Sequence, residues 1–243
     1  MTRDKFTCLM ARVQLILSDL IISFMWVWSC GLTKILLYNY LALGQPIREI
    51  MEGSLYVLSI FFFSWLGNNC SGGSYNPFSV SVLSDAISGD NARYWFAVGV
   101  RVPTQAIGST IAVKLIIWAF PEIDHDAILN VDIFRGALVE GALTYLIVVI
   151  SLEASENHNN NFFLETWISS VCELALHILG TDLTGGCMNS AYAMGWAYAR
   201  SDHITMNHIF VYWLAPIKAT FLGVWTFRLF IRPKELDRKV KIE

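Results

Sequence analysis

Six long apolar stretches, at about 13–33, 51–68, 93–120, 134–152, 163–182 and 208–231, limit what this chain can fold into. Each is long enough to cross a hydrocarbon core of ~30 Å at ~1.5 Å per helical residue. A segment in lipid must satisfy its own backbone hydrogen bonds, so such runs read as transmembrane helices. Composition agrees: 55% of the 243 residues are apolar and 15% charged, against about 45–50% and about 25% in soluble domains. That excludes a disordered chain, a basic nucleic-acid binder and an ordinary cytosolic enzyme. A net charge of −3 supplies no field to draw an anionic partner. Trp95, Trp118, Trp167 and Trp213 fall near expected span ends, where an amphipathic indole prefers to sit. No small-residue cleavage site follows the first stretch, which therefore reads as a true helix and not a leader.

Chemistry-bearing motifs are scarce. Cys8, Cys30, Cys70, Cys172 and Cys187 are odd in number and form no C-x-x-C, which argues against a disulfide framework or a zinc site. His203 and His208 are five apart, a spacing that does not stack two ligands on one helical face, and both read as surface histidines. No phosphate loop, dinucleotide glycine pattern, nucleophile elbow or zinc-protease helix occurs. No enzymatic activity, cofactor or metal is expected.

Two further apolar segments, roughly 76–87 and 189–199, are too short to span. Both open with Asn and follow a glycine pair, Gly72-Gly73 and Gly185-Gly186. A segment of this length crosses half a bilayer, and non-helical backbone at that depth is tolerated only under protein or water. Six spans put both termini on one side. Arg3, Lys5 and Arg12 near the start and Arg228, Arg232, Lys234, Arg238, Lys239 and Lys241 near the end make that side cytosolic. The 121–132 connection, with Glu122, Asp124, Asp126 and Asp132 and no basic residue, then faces outward or into a lumen. Lys34 and Arg48 in the 34–50 loop, and Glu153 and Glu156 in the 153–162 loop, run against this pattern, but the C-terminal basic cluster outweighs them.

The two halves repeat. Asp19 lies within a span and Asn76-Pro77-Phe78 opens a half-span; Glu140 lies within a span and Asn189-Ser190-Ala191 opens the other. Gln105–Ser109 in the third span aligns with Pro216–Thr220 in the sixth. Three spans per half make the repeats inverted across the membrane, with the site expected where they meet near the midplane. The expectation is one domain over 1–243, with repeats at about 13–120 and 134–231 and a cytosolic tail, 232–243. A helix N-terminus carries unpaired N–H groups and about half a positive charge. Two such ends disfavour a cation between them, and an Asn at each can accept from its own helix while donating to a passing water. Pro77 suits a first helical position, where its missing N–H costs nothing.

Residues 72–77 (GGSYNP), 178–189 (ILGTDLTGGCMN), 195–200 (GWAYAR) and 211–214 (VYWL) resemble an aquaporin, a major intrinsic protein. More narrowly they resemble the second subgroup of plant small basic intrinsic proteins. The resemblance covers essentially the whole chain. It implies an all-α membrane fold, aquaporin-like, with six transmembrane helices, two re-entrant half-helices and an inverted repeat. It implies a passive channel for water or small neutral solutes, assembled as a tetramer or with related channels, without an enzymatic step. The alternative is a non-conducting or weakly conducting homologue that acts through assembly with other membrane subunits.

By the resemblance, Asp19 and Glu140 brace the half-helix loops through hydrogen bonds to backbone, the alternative being a proton relay. The family's constriction carries over by spacing to Tyr56, His177, Gly186 and Tyr192. Tyr192 stands where orthodox water channels have Arg; it either narrows the pore or packs against the sixth span. Ser190 departs from the family's Pro and leaves a less fixed entry angle, and Phe78 replaces the usual Ala. Glu173, four residues before His177, either tunes that imidazole as a pH gate or bonds at a helix interface. Lys114 is expected to snorkel and Lys218 to find a buried carboxylate or carbonyl. Ala97, Gly99, Gly108, Ala112, Ala215 and Ala219 are expected to let helices approach closely. Lys239 and Lys241 resemble a dilysine retrieval signal, in agreement with the subgroup's endoplasmic reticulum membrane.

Overall fold

The computed structural model describes residues 3–41, 43–86, 90–158 and 161–231. Regular structure among them is helical, in the order α1 (Arg3–Ile35, continued by a π turn over Leu36–Tyr40), α2 (Gln45–Asn69), α3 (Val80–Ala86), α4 (Asn91–Ala119), α5 (Ile133–His158), α6 (Phe162–Thr184), α7 (Ser190–Arg200) and α8 (Met206–Ile231). Helices α1, α2, α4, α5, α6 and α8 are long and apolar enough to cross a membrane. They stand at the six expected places but overrun them: α1 continues to Tyr40, and α2 begins at Gln45, with Pro46 in its first turn. Hydropathy sees only the lipid-immersed part of a helix, whereas backbone bonding continues into the polar flanks.

One feature recurs in both halves. The third span widens into a π turn over Ala97–Arg101 just ahead of Pro103, and the sixth over Phe210–Leu214 just ahead of Pro216. A proline within a helix lacks its N–H and crowds the preceding turn, and a π turn absorbs both defects.

The chain forms two compact units. The first comprises the described residues within Met1–Ala127 together with Asn189–Thr205. Here α4 packs between α1 and α7. The approaches need small residues: a Cβ on Gly195 would lie 2.9 Å from the Ser109 carbonyl oxygen, and one on Gly108 only 2.5 Å from that of Leu20. Ile22, Val113, Ile116 and Trp196 are buried around these crossings. Gly99, by contrast, is exposed with nothing near its Cβ position, so it does not serve the close packing expected of it.

The second unit comprises the described residues within Ile128–Met188 and Met206–Glu243. Here α5 packs against both α6 and α8, around Leu143, Ile147, Leu176 and Met188. In both units large apolar side chains point outward. Trp118 is 81% exposed and Phe134 82%. Water would penalise such surfaces, and lipid does not.

Candidate functional site

In the first unit, Gly72 (φ 83°) turns the chain after α2 in a left-handed conformation that glycine adopts without strain. The next residues hang on Asp19 of α1, which is fully buried. Its Oδ1 accepts from the Ser74 backbone N–H at 2.8 Å and from Gln105 Nε2 at 3.2 Å. Arg101, in the π turn of α4 and 1% exposed, donates through Nε to Asp19 Oδ2 at 2.8 Å and through Nη2 to Oδ1 at 3.1 Å. The same guanidinium reaches the Gly72 carbonyl at 2.7 Å and the Ser81 carbonyl at 3.2 Å. One buried ion pair thus holds the glycine turn and the first turn of α3.

Asn76 Oδ1 accepts from the Phe78 N–H at 2.9 Å, and the Asn76 carbonyl from the Ser79 N–H at 3.1 Å. Asn76, Pro77 and Phe78 therefore form an Asx-type turn, and α3 begins only at Val80. Pro77 is not the first residue of the helix, as its chemistry would allow. The asparagine side chain has closed a tighter turn around it.

The second half uses the same device with different donors. Gly185 (φ 83°) ends α6. Glu140 of α5, 1% exposed, accepts from Thr184 Oγ1 at 2.7 Å and the Cys187 N–H at 2.9 Å through Oε1, and from the Met188 N–H at 3.0 Å through Oε2. Its hydrogen-bond donors are all neutral, whereas those of Asp19 include a guanidinium. Asn189 then caps α7, its Oδ1 accepting from the Ala191 and Tyr192 N–H groups at 3.1 Å each. Ser190 and Ala191, both buried, begin the helix, so Ser190 supports a helix start without the proline.

Within the first unit the two asparagine turns touch. Asn189 Nδ2 donates to the carbonyl of Tyr75, the residue before Asn76, at 3.1 Å. The Tyr75 ring stacks on Trp26 with centroids 3.9 Å apart and planes at 10°, and Trp26 meets the edge of Tyr56 at 5.7 Å.

Tyr192 follows on α7. Its hydroxyl donates to Asp126 Oδ2 at 2.6 Å, and Lys34 Nζ of α1 meets the same oxygen at 2.6 Å. The Arg200 guanidinium binds the carbonyls of Asp126 and Ala127, the second at 3.1 Å. The Tyr192 ring also meets Trp196, one turn on, at 6.4 Å. In the second unit, His177 Nδ1 lies 3.0 Å from the Gly186 carbonyl oxygen. Gly186 is buried at φ 52°, and any Cβ there would overlap the His177 carbonyl.

Asp19, Tyr56, Asn76, Pro77, Phe78, Asn189, Ser190, Ala191 and Tyr192 thus lie in the first unit, and Glu140, His177 and Gly186 in the second. Sequence reasoning did not foresee the Asp19–Arg101 pair, and it counted Asp126 only as one acid in a loop. A cation deep in an apolar stretch was the available signal for Arg101. Nothing in the spacing pointed to Asp126.

Lys114 is exposed, with its ammonium over the Tyr198 ring at 4.4 Å. Two other expectations change. His208 is buried, not superficial, and accepts from Trp213 Nε1 at 3.2 Å. Lys218 is exposed, without the buried partner expected of it.

The fold is that of a multi-pass membrane channel. It matches the aquaglyceroporin of Plasmodium falciparum with a TM-score of 0.74 at 14% identity, over 91% of this chain and 98% of that one. No family model matches the chain. It is 46% identical over 226 residues to a probable aquaporin SIP2-1 of Arabidopsis thaliana, covering 92% of this chain and 94% of the relative. It is 41% identical over 229 residues to aquaporin SIP2-1 of Oryza sativa subsp. japonica, covering 94% and 92%. Aquaporin SIP1-2 of Zea mays is 31% identical over 225 residues, covering 89% and 92%. The chain belongs to the aquaporin family, a family of membrane channels and not of enzymes, and groups there with the SIP2-1 proteins of plants.

Proposed function

We propose that the chain passes water or a small neutral solute passively past Asn76 and Asn189, in a pore centred on residues 76–78 and 189–191. The contact between Asn189 Nδ2 and the Tyr75 carbonyl carries this reading, because it sets one asparagine turn against the other. Each asparagine oxygen is occupied by N–H groups of its own turn, which leaves the amide nitrogen as the side chain's donor; one N–H of Asn189 goes to the Tyr75 carbonyl, and the second is the donor assigned to the passing solute. A donor suits a neutral oxygen, and the positive ends of α3 and α7 oppose a cation. Tyr56, His177, Gly186 and Tyr192 are the residues that the family's spacing assigns to the constriction. The channel is a homotetramer, or assembles with related channels, in the endoplasmic reticulum membrane with cytosolic termini. The tail that supports this location, 232–243 with Lys239 and Lys241, lies outside the described residues.

A second reading has its own support. Tyr192 replaces the family's constriction arginine, and its hydroxyl is tied to Asp126. A phenol fixed across the passage makes a weakly conducting homologue that acts through assembly. Stopped-flow shrinkage of proteoliposomes separates the two. Conduction by the parent protein, increased in Tyr192→Ala, supports the channel. Conduction only in Tyr192→Ala supports the second reading, and none in either overturns both accounts of Tyr192.

A further inference from the structure

Lys218 is twelve residues past Met206 and thirteen before Ile231, in the middle of a membrane-spanning helix. It is exposed, and no hydrogen bond or ion pair reaches it from the described residues. It ends an apolar groove between α5 and α8, within the second unit. Phe134, Leu138, Phe210 and Leu214 line it, Phe134 and Leu138 being 82% and 74% exposed, together with the small Ala137 and Ala215. No acid lines it.

An ammonium at mid-span, facing hydrocarbon, is costly without a counter-charge, and ionisable groups at that depth are usually paired. Snorkelling does not resolve this. In a hydrocarbon core of ~30 Å, mid-span lies roughly 15 Å from either face, beyond the reach of a four-carbon stem. A lipid phosphate therefore lies out of range. A second copy of this chain is a poor source too: Asp19 and Glu140 are buried and bound by internal donors, and Glu173, half-buried midway along α6, already has an interaction within its own chain. The two alanines in the lining let another backbone come close, as at other interhelical contacts in lipid, and the ammonium fixes its register.

We propose that the groove between α5 and α8 seats a transmembrane helix of another membrane protein, whose mid-span Asp or Glu pairs with Lys218. The surface lies apart from the asparagine turns, so this inference does not depend on what the channel conducts.

The test uses the full chain reconstituted in phosphatidylcholine vesicles with donor-labelled protein and acceptor-labelled model helices. The helices are Leu/Ala single spans with a central Glu, Gln or Lys, and energy transfer reports association. The Glu helix is expected to bind roughly three- to tenfold more tightly than the Gln helix, as interhelical polar pairs do. Lys218→Met removes that preference, Lys218→Arg keeps it, and Lys218→Glu transfers it to the Lys helix. The charge swap distinguishes a lost contact from a misfolded variant, as does an unchanged elution volume in detergent. Equal binding of Glu and Gln helices, or a preference that survives Lys218→Met, overturns the proposal. So does loss of the preference when anionic lipid is added, which would make a headgroup the occupant, or a Lys218-dependent self-association without added helix.

Discussion

The Tyr192 hydroxyl and Asp126 Oδ2 lie 2.6 Å apart, on an oxygen that Lys34 also holds at 2.6 Å. A hydrogen bond to a charged group contributes about 1.5–3 kcal/mol, a population bias of roughly ten- to a hundredfold for the tethered ring. Tyr192→Phe and Asp126→Asn should each free or weaken the tether without removing the ring. Under the proposed constriction role, water permeability rises in both, but less than in Tyr192→Ala. Stopped-flow light scattering on proteoliposomes checks the order. Tyr192→Phe indistinguishable from the parent would show that ring packing on Trp196, not the hydroxyl, sets its position.

Arg101 and Asp19 form the other key charge pair. Both are buried, and the guanidinium also serves the Gly72 and Ser81 carbonyls. Removing one partner of a buried pair leaves an uncompensated charge and costs about 3–5 kcal/mol. Arg101→Met should lower the thermal unfolding midpoint of the detergent-solubilised protein strongly. Arg101→Met combined with Asp19→Asn should recover part of the loss, because no charge is then stranded. A double variant no more stable than Arg101→Met alone contradicts the pairing.

That pair marks the limit of what the sequence reveals. The spans, the two short helices and the buried acids follow from run length and from polar residues in apolar surroundings, both local signals. Asp19 and Glu140 were recognisable because an intramembrane carboxylate needs partners. Which partners it finds is not local: Arg101 is 82 residues from Asp19, and Asp126 is 66 from Tyr192. The same limit applies to direction. A lysine at mid-span can face inward or outward, and hydropathy is blind to the difference, so Lys218 was expected inside. Pro77 was legible as a helix-start residue, but not the Asx turn that moved the helix start to Val80.

Glu140 offers a test of bracing by neutral donors. Its two oxygens take three bonds, from Thr184, Cys187 and Met188. Glu140→Gln keeps one acceptor oxygen and sets an N–H against a second donor, leaving one buried N–H without a partner at about 1–3 kcal/mol. The loop before Asn189 should then loosen. With Cys187 as the sole cysteine, maleimide labelling at that site is expected to quicken in Glu140→Gln, and further in Glu140→Ala. A labelling rate that stays at the parent value would show that the loop is held without the carboxylate.

Asn189 serves two ends with one side chain, and substitution separates them. Its oxygen caps α7, and its nitrogen reaches the Tyr75 carbonyl. Asn189→Ala removes both and should lose about 1 kcal/mol from the cap alone. Asn189→Ser keeps a capping oxygen but is too short to bridge to Tyr75. Thermal unfolding should therefore rank the parent first, Asn189→Ser close behind and Asn189→Ala last. Permeability should divide them differently, falling in both variants, since neither presents an amide N–H at the proposed pore centre. If Asn189→Ser conducts as the parent does, the amide has no part in permeation and its bond to Tyr75 is structural only.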